Sequence, residues 1–233
     1  MYDPALLQAI GMDVEFTSFW KAIGWKEVDP LWEQGSHLLN IQFLCSLKYV
    51  DNGITFCLFE VEHFCTWKDL AKHIGFQRRC LIDLDHALRG FNRHKFWNEI
   101  LGQTVDGKFQ PRNMDIQHPT LRLMHHWIAM TLFSRQDIRV VHNTEMQILY
   151  AMIKKIKIAP VKEIFKHWLD TLKLFSTSIS CTSLVTRTAT SVGAMEDRDV
   201  VYILTSRIII NEHYLLQGHH LKHNASGQLV FFF

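Results

Sequence analysis

Apolar positions recur along most of this chain three and four residues apart, the spacing of helices, and turn to alternation in one place only. Asp3 followed by Pro4 reads as an N-cap and first-turn pair, closed by Gly11. Asp13 is placed to cap VEFTSFWKAI, which Gly24 terminates, and Trp25 to Gly35, with Asp29-Pro30 inside it, reads as a loop. Ser36 is placed to cap HLLNIQFLCSL, where Leu39, Phe43, Leu44 and Leu47 keep helical period. The period then changes. Gly53-ITFCLF and His63-FCT flank Glu60-Val61-Glu62 and predict a small β-hairpin near residues 54–66. Thr66, with Asp69 three residues on, is a capping-box signature for WKDLAKHI, which runs to Gly75. Asn92 and Gly102 bracket a further short helix.

The second half is more strongly helical. Pro119 fits the first turn of TLRLMHHWIAMTLF, apolar nearly all round and therefore expected at the centre of the fold. Asn143 or Thr144 is expected to cap EMQILYAMIKKI. Pro160 opens a two-faced helix, with Val161, Ile164, Phe165, Trp168, Leu169, Leu172 and Phe175 inward and Lys162, Glu163, Lys166, His167, Asp170 and Lys173 outward. Residues 176–193 are rich in Ser and Thr, yet Leu184, Val185, Ala189 and Val192 stripe a helix there. Apolar bursts at VVYIL, RIIIN and LVFFF follow, and the last reads as the cut end of a longer frame. The fold class expected is mainly α with a small β-hairpin (α+β), a multi-helix globular domain over residues 1–175 with an extension over 176–233.

Composition supports a packed body. At 233 residues, 48% hydrophobic and 21% charged, the chain can bury roughly 70% of the surface it exposes unfolded, and disorder is excluded as its main state. A net charge of +2 exerts no strong pull on nucleic acid or anionic membrane by itself. The 14 His add positive charge below about pH 6.5. Five widely spaced Cys and an opening stretch without a basic-then-apolar leader place the chain inside the cell, in cytoplasm or nucleus. No apolar run approaches the 18 or so residues of a membrane span, and no membrane partner is expected.

Catalytic signatures are missing: G-x-S-x-G, S-x-x-K, a Gly-rich phosphate loop and Asp-Thr/Ser-Gly are all absent. Neither an enzyme nor a cofactor is expected. Cys57, His63, Cys65, His73 and Cys80 are close in sequence, and Cys57, His63, Cys65 and Cys80 are the candidate metal ligands, with Cys57 across the hairpin from the pair His63 and Cys65. Their spacing fits no finger or knuckle, and the competing reading makes the thiols small core residues. His213, His219, His220 and His223 read as a solvated tail; of the neighbours His125 and His126, one should pack inward and the other reach a polar edge. Lys154, Lys155, Lys157, Lys162 and Lys166, with Arg78 and Arg79, are the candidate nucleic-acid contacts, set against an ordinary solvated face carrying Glu163, His167 and Asp170. Arg122, inside the nearly all-apolar helix, needs a partner, and Asp115, Asp137 and Glu145 are the candidates.

Three segments, ITFCLFEVEHFCTWKDLAKHIGF (54–76), GFNRHKFWNEILG (90–102) and IQHPTLRLMHHWIAMTLFSRQD (116–137), together resemble the first-open-reading-frame protein of plant Athila-type, gypsy-like LTR retrotransposons. EMQILYAMI (145–153) and the leading AIGW (22–25) fit the same resemblance, which covers roughly residues 1–170. Its most specific piece is PTLR-x-x-H followed by LF-x-R-x-D. The resemblance implies a Gag-like structural or interaction protein without a catalytic centre, which self-associates and binds element RNA, or a degenerate remnant of one. No Cys-x2-Cys-x4-His-x4-Cys knuckle accompanies it. The alternatives are a metal-binding module or metal-dependent enzyme built on the 57–80 group, and a domesticated plant domain that binds a host protein.

Overall fold

Helix caps divide the chain into short elements. The computed structural model describes residues 3–25, 28, 34–104, 108–174, 179, 181–196, 198–202, 210–218 and 220–231. Among these are helices α1 (Pro4–Ala9), α2 (Asp13–Ala22), α3 (His37–Ser46), α4 (Trp67–Ile74), α5 (Leu84–Ala87) and α6 (Arg93–Leu101). There follow a 3-10 turn (Asn113–Asp115), α7 (Pro119–Trp127), α8 (Asn143–Lys154), α9 (Val161–Leu172), α10 (Thr182–Ser191) and α11 (Glu212–Gln217). The fold is mainly α with small antiparallel sheets, the α+β class that the periodicity predicts.

Most caps are those expected. Asp3 accepts from the Ala5 N–H, Asn92 from Lys95, and Thr66 and Asp69 form both bonds of the capping box. Three starts differ. Met12 holds the cap position of α2, so Asp13 sits in the first turn, where its charge still favours the helix dipole. Ser36 stands at the head of α3, but its buried hydroxyl bonds to nothing. His142, not Asn143 or Thr144, caps α8, and Glu145 reaches back to accept its N–H at 2.7 Å.

The hairpin is there, within a three-stranded meander. Strand β1 (Lys48–Val50) pairs with β2 (Gly53–Leu58), which pairs with β3 (Val61–Thr66). The turn is Phe59-Glu60, one residue earlier than the flanking pattern indicated, and both residues take positive φ (51° and 66°). Two groups hold it: Gln42 Oε1 accepts from the Phe59 N–H at 3.1 Å, and the Arg198 guanidinium lies 4.5 Å from the centre of the Phe59 ring. Gly53 is obligatory, because a Cβ there would meet the Cys65 carbonyl oxygen at 2.0 Å. Ile54, Phe56 and Leu58 face the core, where Phe56 packs on Phe43 of α3 at 4.6 Å between ring centres.

Helix α7 is buried from Thr120 through Trp127 and then widens into a π turn, Ile128–Leu132. Trp168 of α9 donates its indole N–H to the Leu132 carbonyl at 3.0 Å, satisfying one of the carbonyls loosened there. Residues beyond 176 join the same core. Helix α10 packs on α3 and α4, and Asn40 of α3 bonds the Ile179 carbonyl and the Cys181 thiol. A second hairpin, β4 (Leu221–His223) with β5 (Leu229–Phe231), takes up part of the final apolar burst. Most of the 25–35 loop, Phe175, the last two residues of VVYIL and most of RIIIN lie outside the described residues.

Removing the α4 cap gives a direct test of this local reading. Thr66→Ala should cost about 1 kcal/mol in urea unfolding, and Thr66→Ser should recover most of it.

Candidate functional site

Two polar residues of the segments PTLR-x-x-H and LF-x-R-x-D, His125 and Arg135, meet on Glu145 in the interior. Arg122 and His125 lie one turn apart on α7. Nε2 of His125 lies 3.0 Å from Glu145 Oε2, and its Nδ1 lies 2.7 Å from Asn113 Nδ2, which also donates to the Arg122 carbonyl at 3.3 Å. With Asn113 donating, Nδ1 is the acceptor and Nε2–H donates to the carboxylate. Glu145 Oε1 takes Arg135 at 2.5 Å, and Arg135 also donates to the Val140 carbonyl. Burial alone would push the Glu145 carboxyl up, but the hydrogen bond from His125, with the charge and hydrogen bond of the Arg135 guanidinium, outweighs it and holds the carboxyl at about 2. His125 and Glu145 are 0% and 1% exposed, so this network is sealed from solvent.

Arg122 is as buried as its sequence context required, but its guanidinium donates to main chain: Nε and Nη2 to the Ile116 carbonyl at 3.0 and 2.7 Å, and Nη2 to Met114 at 3.0 Å. Asp115 acts on it through charge, while Asp137 pairs with Arg139 and Glu145 with Arg135. Pro119 opens the helix as expected. His126 is buried as deeply as His125. It stacks on Tyr214 and on His220, so part of the His-rich segment is packed rather than solvated; His219 lies outside the described residues. Desolvation, then the neighbouring His220 and His125, depresses His126 to about 3.

The candidate metal ligands are not gathered. The register pairs Cys65 with Ile54 and His63 with Phe56, on the core face, whereas Cys57 pairs with Glu62 on the opposite face. Being across the hairpin is therefore not enough, because residue parity puts Cys57 on the wrong side. Cys80 fills a separate junction, its Sγ 3.5 Å from the Ile23 carbonyl oxygen and 3.7 Å from that of Gly24. Among the described residues no group of three His, Cys, Asp or Glu is placed to hold a metal ion.

The basic residues behave differently. The Leu81 N–H donates to the Lys157 carbonyl and the Ala159 N–H to the Leu81 carbonyl, both at 2.9 Å, making a parallel bridge between chain segments far apart in sequence. Trp25 Nε1 clamps the Ile158 carbonyl at 2.6 Å, and the Gln77 N–H donates to the Gly24 carbonyl. Gly24 sits at φ 79°, and a Cβ there would strike Cys80 Sγ at 2.7 Å. This junction draws Arg78-Arg79 and Lys155-Ile156-Lys157 to one edge. Arg78, Arg79, Lys155 and Lys157 are exposed, and no ion pair among the described residues engages them; Lys157 reaches Gln77 at 3.4 Å. Lys154 pairs with Glu99 at 3.0 Å, Lys162 acts on Asp83, and Lys166 on Asp170, so these three are compensated by acids.

Glu163 departs from its expected solvated face. Its Oε2 is buried without a hydrogen-bond partner, and burial, then the charges of Asp85 and Asp83, lifts its pKa from an ordinary 4.5 to about 7, against the opposing pull of Lys162 and its own main-chain bond. His167 is likewise half-buried, packed edge-on to Phe133.

Together these features define a helix-rich α+β protein with a buried polar network and a group of exposed cations where two distant segments meet. The chain belongs to the ATHILA ORF-1 family, whose model matches residues 34–158, a stretch that contains Arg122, His125, Arg135 and Glu145 and both halves of the basic edge. The match is shorter than the 1–170 over which the resemblance was drawn. No curated protein and no solved structure matches the chain. No helix among the described residues is long and apolar enough to cross a membrane.

Two outcomes follow from the buried groups. Arg122→Met leaves carbonyls of the 3-10 turn without donors, at about 1–3 kcal/mol each, and should lower both the melting temperature and the soluble yield; an unchanged melting temperature contradicts the role given to Arg122. Glu163→Gln should match the wild type below pH 4.5, where the carboxyl is protonated folded or unfolded. As pH rises toward 7 the wild type must increasingly ionise a buried acid, so the variant should become the more stable by on the order of 2 kcal/mol at pH 8, read by thermal unfolding across pH.

Proposed function

We propose that this chain is a non-enzymatic, Gag-like structural protein of the retrotransposon, which self-associates and binds element RNA through the edge formed by Arg78, Arg79, Lys155 and Lys157. The observation that supports it most is the main-chain bridge that sets the Arg78-Arg79 and Lys155–Lys157 segments side by side although they are far apart in sequence. A net charge of +2 is weak overall, but binding responds to local charge, and no ion pair among the described residues engages these side chains. Family membership supports the same reading, and the sealed state of the His125–Glu145 network argues against its use on a substrate.

Binding of this kind is dominated by phosphate contacts and reads little sequence. For single strands the logarithm of the binding constant falls with the logarithm of salt by about 0.7 per neutralised phosphate. Changing Arg78, Arg79, Lys155 and Lys157 to Gln should therefore flatten that slope by about 2–3 and weaken every sequence alike, with the melting temperature retained. Sedimentation velocity checks the assembly: species larger than a monomer should grow with protein concentration and with added RNA. A monomer throughout contradicts self-association.

A further inference from the structure

At the C-terminal end of α6 a cavity of about 300 Å³ opens between that helix and the 3-10 turn. Its apolar side is made by Trp97 and Leu101, both buried, and by the exposed thioether of Met114. The polar side has another character. Gln103, Gln110 and Gln117 bring three amides, and Asp115 a carboxylate. Gln117 Nε2 donates to the Asp115 carbonyl at 3.2 Å, which fixes the plane of its amide. Phe109 and Lys108 complete the wall. The Phe109 ring is half-exposed, with the Arg93 guanidinium 5.0 Å from its centre and the His94 ring 4.3 Å away.

We propose that this cavity receives a base of single-stranded RNA bearing an exocyclic amino group, with Phe109 as its stacking surface, Gln110, Gln117 and Asp115 reading its edge, and Arg93 and Lys108 meeting the adjoining phosphates. Unstacked bases are recognised by this combination of aromatic face and edge-reading polar groups. Amides match the paired donor and acceptor of adenine, and a carboxylate accepts from the amino group of cytosine. Uracil has a carbonyl oxygen where adenine and cytosine carry the amino group and keeps N3–H as its one donor on that edge, so it is the disfavoured base. The cavity and the basic edge lie on neighbouring helices. The Glu99–Lys154 ion pair joins α6, which supplies Trp97 and Leu101, to α8, whose end carries Lys155. The inference rests on the RNA-binding reading above and adds base selectivity to it.

The test uses the full chain and fluorescein-labelled oligo(A), oligo(C) and oligo(U) of equal length, with anisotropy as the readout. Oligo(A) and oligo(C) should bind about tenfold more tightly than oligo(U). Gln110→Ala should remove most of that ratio, and Phe109→Ala should weaken oligo(A) most; Phe109→Leu, which keeps the apolar volume, guards against loss of fold, and thermal unfolding checks each variant. The fourfold Gln variant of the basic edge should weaken all three ligands and leave the ratio standing. Equal binding of the three by the wild type overturns the pocket and leaves the basic edge intact. A ratio that survives in both Gln110→Ala and Phe109→Leu also overturns it. No binding of any oligonucleotide overturns the pocket and the RNA-binding reading together.

Discussion

A carboxylate removed from water is the constraint around which this fold is arranged. Glu145, left alone in the interior, would cost several kcal/mol, so every neighbour it has must supply a donor. Three do: the His125 imidazole from α7, the Arg135 guanidinium from the loop after the π turn, and the His142 N–H at the head of its own helix. Each partner is fixed in turn, His125 by Asn113 and Arg135 by the Val140 carbonyl. The direction in which α7, its following loop and α8 leave one another is thereby determined by a handful of hydrogen bonds. His125 and Arg135, which stand out along the sequence, are the two side chains that close this knot on Glu145.

Closed interior and open edge divide the molecule's labour. Arg122 and His125 stand out in sequence because charge inside an apolar helix is rare, and such outliers often mark catalysis. Here Arg122 donates to main-chain carbonyls and His125 is held between Asn113 and Glu145, and both serve the packing. The cations that meet solvent are less conspicuous in sequence, being ordinary lysines and arginines at segment ends. They acquire meaning through the bridge at Leu81 and Ile158, with Trp25 and Gly24 packed behind it.

Local rules carried the sequence reading a long way. The Thr66–Asp69 box, the Asn92 and Asp3 caps and the Pro119 start are each decided by groups a few residues apart, and they stand as read. Where the outcome depended on register or distant packing, the pattern was silent. Parity within the hairpin separates Cys57 from His63 and Cys65, and a turn shortened to Phe59-Glu60 is what sets that parity. Glu163 falls on the polar side of its helix by spacing, yet lies close enough to neighbouring elements to lose its water. The convergence of Arg78-Arg79 with Lys155 and Lys157 was out of reach for the same reason, since a single parallel bridge leaves no periodic trace.

The Phe59-Glu60 turn makes the hairpin dependent on the rest of the chain. Two consecutive non-glycine residues at positive φ cost on the order of 1 kcal/mol or more apiece, so this hairpin is poorly suited to closing by itself. What compensates comes from elsewhere in the chain: Gln42 from α3 ahead of it and Arg198 from the segment after α10. The turn is thus a place where the strained middle of the chain leans on segments before and after it, and Arg198 reaches it from more than a hundred positions away.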